Sequence, residues 1–313
     1  MNPAQAKSQA RHLIIAGVTR AGTTSLYNYL GDHPDVRAST IKETRFFMDT
    51  DELRRMYRYE EGPDHYEKYF PDCPHGALRL EATPDYMYRP AAAQRIAETL
   101  PDAHIIIILR EPVSRLISWR RYAIQNGLLD PDTSLTDYIQ AQFDALEGDQ
   151  SLPQHLRALQ EGCYSNYLSA WINTFDRDRL TILHYNDLLT DPAGIARRVC
   201  GQIGIDPGFY DGYDFKVHNE SRPVRWPRVQ AAYRSLIWRV KPYVHNKPVT
   251  RAALRKLRRT TDTALGRTGT TTHSPAETGN GDLTPNDRAH LQSYYQQEPT
   301  NLARLLNLPD WQW

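Results

Sequence analysis

The 313-residue sequence has only three cysteines, Cys73, Cys163 and Cys200, widely spaced and without a C-x-x-C pair. That count argues against a disulfide framework and against a cysteine-ligated zinc site, and it fits a reducing compartment. Long hydrophobic runs are also lacking. The longest aliphatic run is IIIIL, 105–109, far short of the ~20 residues that a membrane-spanning helix needs. The opening residues, MNPAQAKSQARHL, have no apolar core of the signal-peptide kind. A cytoplasmic protein is expected. One stretch lacks acid altogether. Between Glu220 and Asp262 there is no Asp or Glu, against twelve Lys and Arg from Arg222 to Arg259, although the whole chain carries a net charge of only +1. A block of one sign often meets a polyanion or an anionic membrane.

What is present reads as strands alternating with helices. HLIIAG (12–17) is a short aliphatic stretch ended by glycine, as in a buried parallel strand. From Thr24 a helix is expected, with Leu26, Tyr29 and Leu30 on one face. HPDVR predicts a turn and a short strand, DHYEKYF a helix, and ALRLEATPDYMY a strand leaving through a Thr-Pro turn. PAAAQRIAETLP predicts a helix opened by proline. DAHIIIILREP is the most hydrophobic strand and ends at Arg110, and PVSRLISWRRYAIQNG follows it as a helix. CYSNYLSAWINTFD reads as a helix, RLTILHYNDL as a strand, and PAGIARRVCGQIGI as a helix. This order implies an α/β fold: a P-loop-like, doubly wound, three-layer α/β/α arrangement around a central, mostly parallel sheet. The expected organisation is a flexible N-terminus, 1–11, and a single domain, 12–313. The latter contains a basic, aromatic segment (222–259), a Thr/Gly-rich loop (260–282) and a helical pattern from Leu283 to Leu308.

The stretch G17-V-T-R-A-G22-T23-T24 has the glycine spacing of a phosphate-binding loop and lies between a strand and a helix. Glycines let the backbone turn tightly, successive N–H groups converge, and a helix N-terminus adds positive potential. Thr23, Thr24 and Ser25 add hydroxyls. The lysine of a nucleotide triphosphatase is missing: Thr23 stands in its place, and the loop's cation is Arg20. An Mg²⁺-nucleotide enzyme also needs an aspartate at the end of a later strand. Here that strand ends in Arg110, which suits a second phosphate. A doubly anionic ligand, held without metal, is the expectation.

TRAGTTSL and LREPVSRLIS together resemble the two cofactor signatures of sulfotransferases that use 3′-phosphoadenosine 5′-phosphosulfate (PAPS). The resemblance implies that Arg20, Ala21, Gly22, Thr23, Thr24 and Ser25 hold the 5′-phosphosulfate. Arg110 and Ser118 would hold the 3′-phosphate, leaving 3′-phosphoadenosine 5′-phosphate (PAP) as product. IKETRFF (41–47), EATPDY (81–86), GCYSNYLSAWINTF (162–175) and LTILHYNDLLTDP (180–192) extend the resemblance to the branch that includes bacterial and heparan-type enzymes. In that branch the glutamate of K-E-x-x-F-F is the general base, which maps onto Glu43; Arg20 would stabilise charge on the leaving oxygen. Read without the family, Glu43 is a surface carboxylate in a charged loop. In an extended segment Lys42 would point to the opposite side from Glu43. Phe46 and Phe47 are expected to pack, Trp171 to lie in the core, and His33 and His104 to be structural. His184 and Tyr185 suit either a cleft or the core, and Tyr164 is placed near the cofactor by the resemblance.

The chain also departs from the pattern. Arg20 stands where many relatives carry lysine, and Ala82 where glycan-acting relatives carry lysine before the Thr-Pro pair. HNESRPVR (218–225) is the nearest counterpart of the segment that closes the cofactor site. Val229, Tyr233, Leu236, Ile237 and Val240 form one helical face, with arginines, Trp226 and Trp238 about it. A peripheral membrane contact and a helix packed on the domain both fit it; nucleic acid is not expected. The expected reaction is sulfuryl transfer to a hydroxyl of a carbohydrate, a lipid or a small natural product. The alternatives are a kinase-like P-loop enzyme using ATP, and a nonenzymatic nucleotide- or membrane-binding module in which Glu43 is dispensable.

Overall fold

The computed structural model describes residues 11–49, 58–74, 76–147, 153–216 and 283–313. The N-terminus, HNESRPVR, the segment 222–259 and the loop 260–282 lie outside these residues.

Five strands form one sheet in the order β2-β3-β1-β4-β5, and every neighbouring pair is parallel. They are β1 (His12–Gly17), β2 (Val36–Ala38), β3 (Leu78–Ala82), β4 (His104–Leu109) and β5 (Leu180–His184). Strands β1 and β4 are buried at every position, as continuous aliphatic runs require when both faces are covered. The described helices are α1 (Thr23–Gly31), α2 (Pro63–Glu67), α3 (Pro90–Thr99), α4 (Pro112–Gln125), α5 (Leu135–Glu147), α6 (Ser165–Thr174), α7 (Tyr185–Thr190), α8 (Pro192–Ile203), α9 (Pro285–Tyr295) and α10 (Glu298–Leu306). None is long and apolar enough to cross a membrane.

The described residues fall into two compact units. One comprises the described residues up to Arg110 with 164–216 and 301–313, and holds the sheet; the other comprises the described residues of 111–163 with 283–300. In the sheet unit the five strands pack on Leu26, Leu30, Ile96, Leu168, Trp171 and Val199. His104 donates its Nε2 hydrogen to Thr181 Oγ1 at 2.7 Å, Thr181 passes its own to Gln202, and burial holds the imidazole pKa down at about 4. It is a structural, neutral histidine. Trp171 is fully buried, and His33 accepts the Asp35 amide in a turn.

In the other unit, Leu116, Trp119, Tyr138, Ile139, Leu291 and Tyr295 form a second core. The fully buried Arg115 donates to the Ala158 carbonyl at 2.6 Å and faces Glu161 at 3.7 Å. Helix α5 was not among the expected elements. Its Leu135, Tyr138, Ile139 and Gln142 bury one face, and Ser134 Oγ accepts the Asp137 amide at its start. RLTILHYNDL is strand only to His184. Strand β4 offers no ladder partner beyond Leu109, so Tyr185–Thr190 coils into α7.

Candidate active site

Strands β1, β3, β4 and β5 all end at one edge of the sheet. Strand β1, between β3 and β4, is where the order of the sheet reverses, the position at which open α/β sheets bind ligands. The loop Gly17–Gly22 leaves β1 there. A β-carbon at Gly17 would stand 2.7 Å from that of Met87, so only glycine lets the loop pass this close to the turn after β3. Val18 N–H donates to the Ile108 carbonyl at 3.0 Å, and Ala21 N–H to the Val18 carbonyl at 3.2 Å. Arg20 and Gly22 both take left-handed backbone angles, φ 74° and 76°. Left-handed residues in such a turn gather neighbouring amides into an anion-binding concavity.

Helix α1 starts at the mouth of this loop. Its first bond runs from Leu26 N–H to the Gly22 carbonyl, so the amides of Thr23, Thr24 and Ser25 have no intrahelical acceptor. The donor set therefore fits an anionic phosphosulfate: three helix-leading amides, the loop turn and adjacent hydroxyls.

Arg110, at the exit of β4, is built into the same place. Its Nη1 donates to the Arg20 carbonyl at 2.9 Å, and its guanidinium lies 4.5 Å above the Tyr185 ring. Tyr164 donates its hydroxyl hydrogen to the Arg110 carbonyl at 2.7 Å. Tyr185 also lies 3.1 Å from where a Gly22 β-carbon would be. It thus packs between the loop and Arg110 and against the core of the sheet unit. His184 stacks on Trp311 with ring centres 4.0 Å apart. Ser118 belongs to the other unit, on the buried side of α4. Arg110 itself precedes that helix, which begins at Pro112 behind a Glu111 side-chain cap.

Residues 41–47 pass over the exit of β3. Glu43 N–H donates to the Ala82 carbonyl at 2.8 Å, Arg45 N–H to Thr83 Oγ1 at 3.2 Å, and Phe47 N–H to the Tyr86 hydroxyl at 3.2 Å. Beneath the segment lies the fully buried Glu81, which accepts from Thr44 at 2.8 Å, Thr83 at 2.6 Å and Tyr86 at 3.2 Å. Burial pushes its carboxyl pKa up, and these hydroxyls pull it part of the way back. Phe46 and Phe47 are fully buried packing residues.

The segment is not extended. Glu43 and Arg45 both have positive φ, 65° and 57°. Lys42 and Glu43 therefore do not point apart as an extended segment requires: Lys42 Nζ meets Glu43 Oε1 at 3.2 Å. Arg45 Nη2 meets Glu43 Oε2 at 3.3 Å and Asp85 Oδ2 at 3.0 Å. Asp85 Oδ1 accepts the Thr19 hydroxyl at 3.0 Å. A continuous set of contacts thus joins Glu43 to the phosphate loop. Arg45, Glu81 and Asp85 were not singled out from the sequence, although they sit inside IKETRFF and EATPDY; only folding brings those two segments together.

Residues 10–211 match the sulfotransferase domain family, and the chain belongs to it. It is 29% identical over 257 residues to the bifunctional heparan sulfate N-deacetylase/N-sulfotransferase 1 of Xenopus laevis, an alignment covering 72% of this chain and 28% of the relative. With the mouse heparan sulfate glucosamine 3-O-sulfotransferase 3A1 the identity is 28% over 201 residues, covering 64% of this chain and 47% of the relative. The chain thus spans half or less of these relatives' length. A sulfotransferase from Alicyclobacillus acidocaldarius has the same fold, with a TM-score of 0.55 at 22% identity, over 76% of this chain and 97% of that one.

Proposed function

We propose that the protein transfers a sulfuryl group from PAPS to a hydroxyl of a carbohydrate, lipid or small-molecule acceptor, with Glu43 as general base. The observation that carries this reading is the path from Glu43 through Arg45 and Asp85 to Thr19, which puts a polarised carboxylate beside an anion-binding loop. Bound at the loop, PAPS would supply an activated sulfuryl group. The amides of Thr23, Thr24 and Ser25 would hold its 5′-phosphosulfate, and Arg110 its 3′-phosphate. Glu43 would take the proton of the acceptor hydroxyl. Arg20 and the loop amides would meet negative charge on the leaving side, where fixed donors act without reorganising. Arginine holds its charge and cannot readily donate a proton there, so Arg20 acts electrostatically. No metal takes part in this scheme.

Both quoted relatives are named for heparan sulfate, so a glycan is the first acceptor class to try. Ala82 offers no charge at the exit of β3, which argues for an acceptor unlike a heparan chain. All three cysteines are free, in keeping with a cytoplasmic site of action, and the basic block 222–259 would make any contact with the membrane surface.

The test is PAP release from PAPS in the presence of desulfated heparan sulfate oligosaccharides, a glycolipid and simple alcohols. Wild type should release PAP with at least one of them. Glu43→Gln should lower that rate by about 10²–10⁴-fold, the usual contribution of a general base, with PAP binding retained. Full activity in Glu43→Gln would remove the base assignment. Phosphoryl transfer from ATP–Mg²⁺ in place of PAPS turnover would remove the reaction.

A further inference from the structure

The contacts around Glu43 are ordered. Its Oε1 faces Lys42, which is 19% exposed; its Oε2 faces Arg45, which is 11% exposed and also meets Asp85. Arg45 is fixed from both ends. Its backbone is held on Thr83 Oγ1 in a left-handed conformation, between the buried Thr44 and Phe46. Its guanidinium is held by Asp85, itself 11% exposed and anchored through its other oxygen by Thr19. Glu43, at 37% exposed, is the most exposed of the three.

We infer that Arg45 is the positioning residue for Glu43: anchored on Asp85, its guanidinium fixes the base beside the phosphate loop in the ionised form that accepts a proton. The inference rests on Glu43 being the base. Three physical points carry it. Arginine stays charged at every pH the protein experiences, so the anchor does not titrate with the base. A guanidinium has donors enough to serve two carboxylates, whereas an ammonium is a point charge. Removing Arg45 would take away the cation that meets both Glu43 and Asp85 and leave two neighbouring anions, which favours protonation of one. The acid beneath, Glu81, is engaged with Thr44, Thr83, Tyr86 and, at 3.4 Å, Tyr66, and supplies no positive charge. Ala82 supplies none either.

The test is a carbon-detected NMR titration of protein labelled at the glutamate carboxyl carbon, with the Glu43 signal assigned by its loss in Glu43→Gln. Arg45→Gln should raise the Glu43 midpoint by about one pH unit or more, the usual effect of losing an adjacent cation. Arg45→Lys should raise it less, and serves as the readout if Arg45→Gln does not fold. The acid limb of the pH profile for PAP release should move with the midpoint. In a Glu43→Gln background, Arg45→Gln should cause no further loss of rate, because its effect runs through the carboxylate. An unchanged midpoint in both variants, or a full additional loss in the Glu43→Gln background, would overturn the positioning role. A catalytically silent Glu43→Gln with a shifted midpoint in Arg45→Gln would instead sink the base assignment alone.

Discussion

The phosphate loop (17–25) and the base segment (41–47) lie at the same edge of the sheet and are held in different ways. The loop is held by backbone: glycines at positions of close approach or positive φ, amide–carbonyl bonds to β4, and a helix start. The base segment is held by side chains: a buried carboxylate that gathers four hydroxyls, and a chain of ion pairs. Backbone control depends on residues next to one another in the chain. Side-chain control depends on residues brought together by the fold, and it leaves room for charge to be tuned.

The contrast gives ranked expectations. The largest structural effect should follow loss of the centre of the base segment. Glu81→Ala leaves the hydroxyls of Thr44, Thr83 and Tyr86 to find new partners in a closed space. It should destabilise the protein by about 3 kcal/mol or more in denaturant unfolding, at the rate of ~1–3 kcal/mol for each stranded buried polar group. A loss under 1 kcal/mol would mean that the segment is held by its backbone as the loop is. Next is Gly17→Ala, whose new methyl must displace Met87 at 2.7 Å. Overpacking of this kind costs about 1–3 kcal/mol, and PAP affinity should fall with stability because the loop moves. An alanine variant as stable as wild type would show that the turn after β3 yields.

The smallest expected effect is a dependence on pH. Burial raises the Glu81 pKa above the ordinary carboxylate range, so between that range and the raised value the folded state holds a proton that the unfolded state has lost. Glu81 therefore stabilises fully below the ordinary glutamate range, and this contribution is lost as pH rises through the folded value. Wild type should lose melting temperature relative to Glu81→Gln as pH rises through that window. A constant difference would mean that the hydroxyl bonds cancel the burial.

Legibility follows the same division. Both glycines of the loop, the strand that ends in Arg110 and four of the site's flanking segments could be read from the sequence, because each is a local pattern. The strands β1 and β4 were equally plain, being aliphatic throughout. Arg45 and Asp85 were not singled out, since their meaning lies in a contact between segments 40 positions apart in the chain. The left-handed turn at Glu43 was hidden for a related reason. Glutamate has no intrinsic preference for it, and the turn exists because Ala82, Thr83 and Tyr86 hold the segment by hydrogen bonds. Helix α5 was missed although its apolar spacing is regular and Gly148 follows its last residue, because no proline opens it as Pro112 opens α4 and Pro192 opens α8.

The most direct test of the account is calorimetric binding of PAP, without added metal, to wild type and to Arg110→Ala. Wild type should bind PAP without metal, and the variant about 10–100-fold more weakly, as for the loss of one strong charge-assisted contact. Absence of PAP binding, with ATP–Mg²⁺ bound in its place, would contradict it.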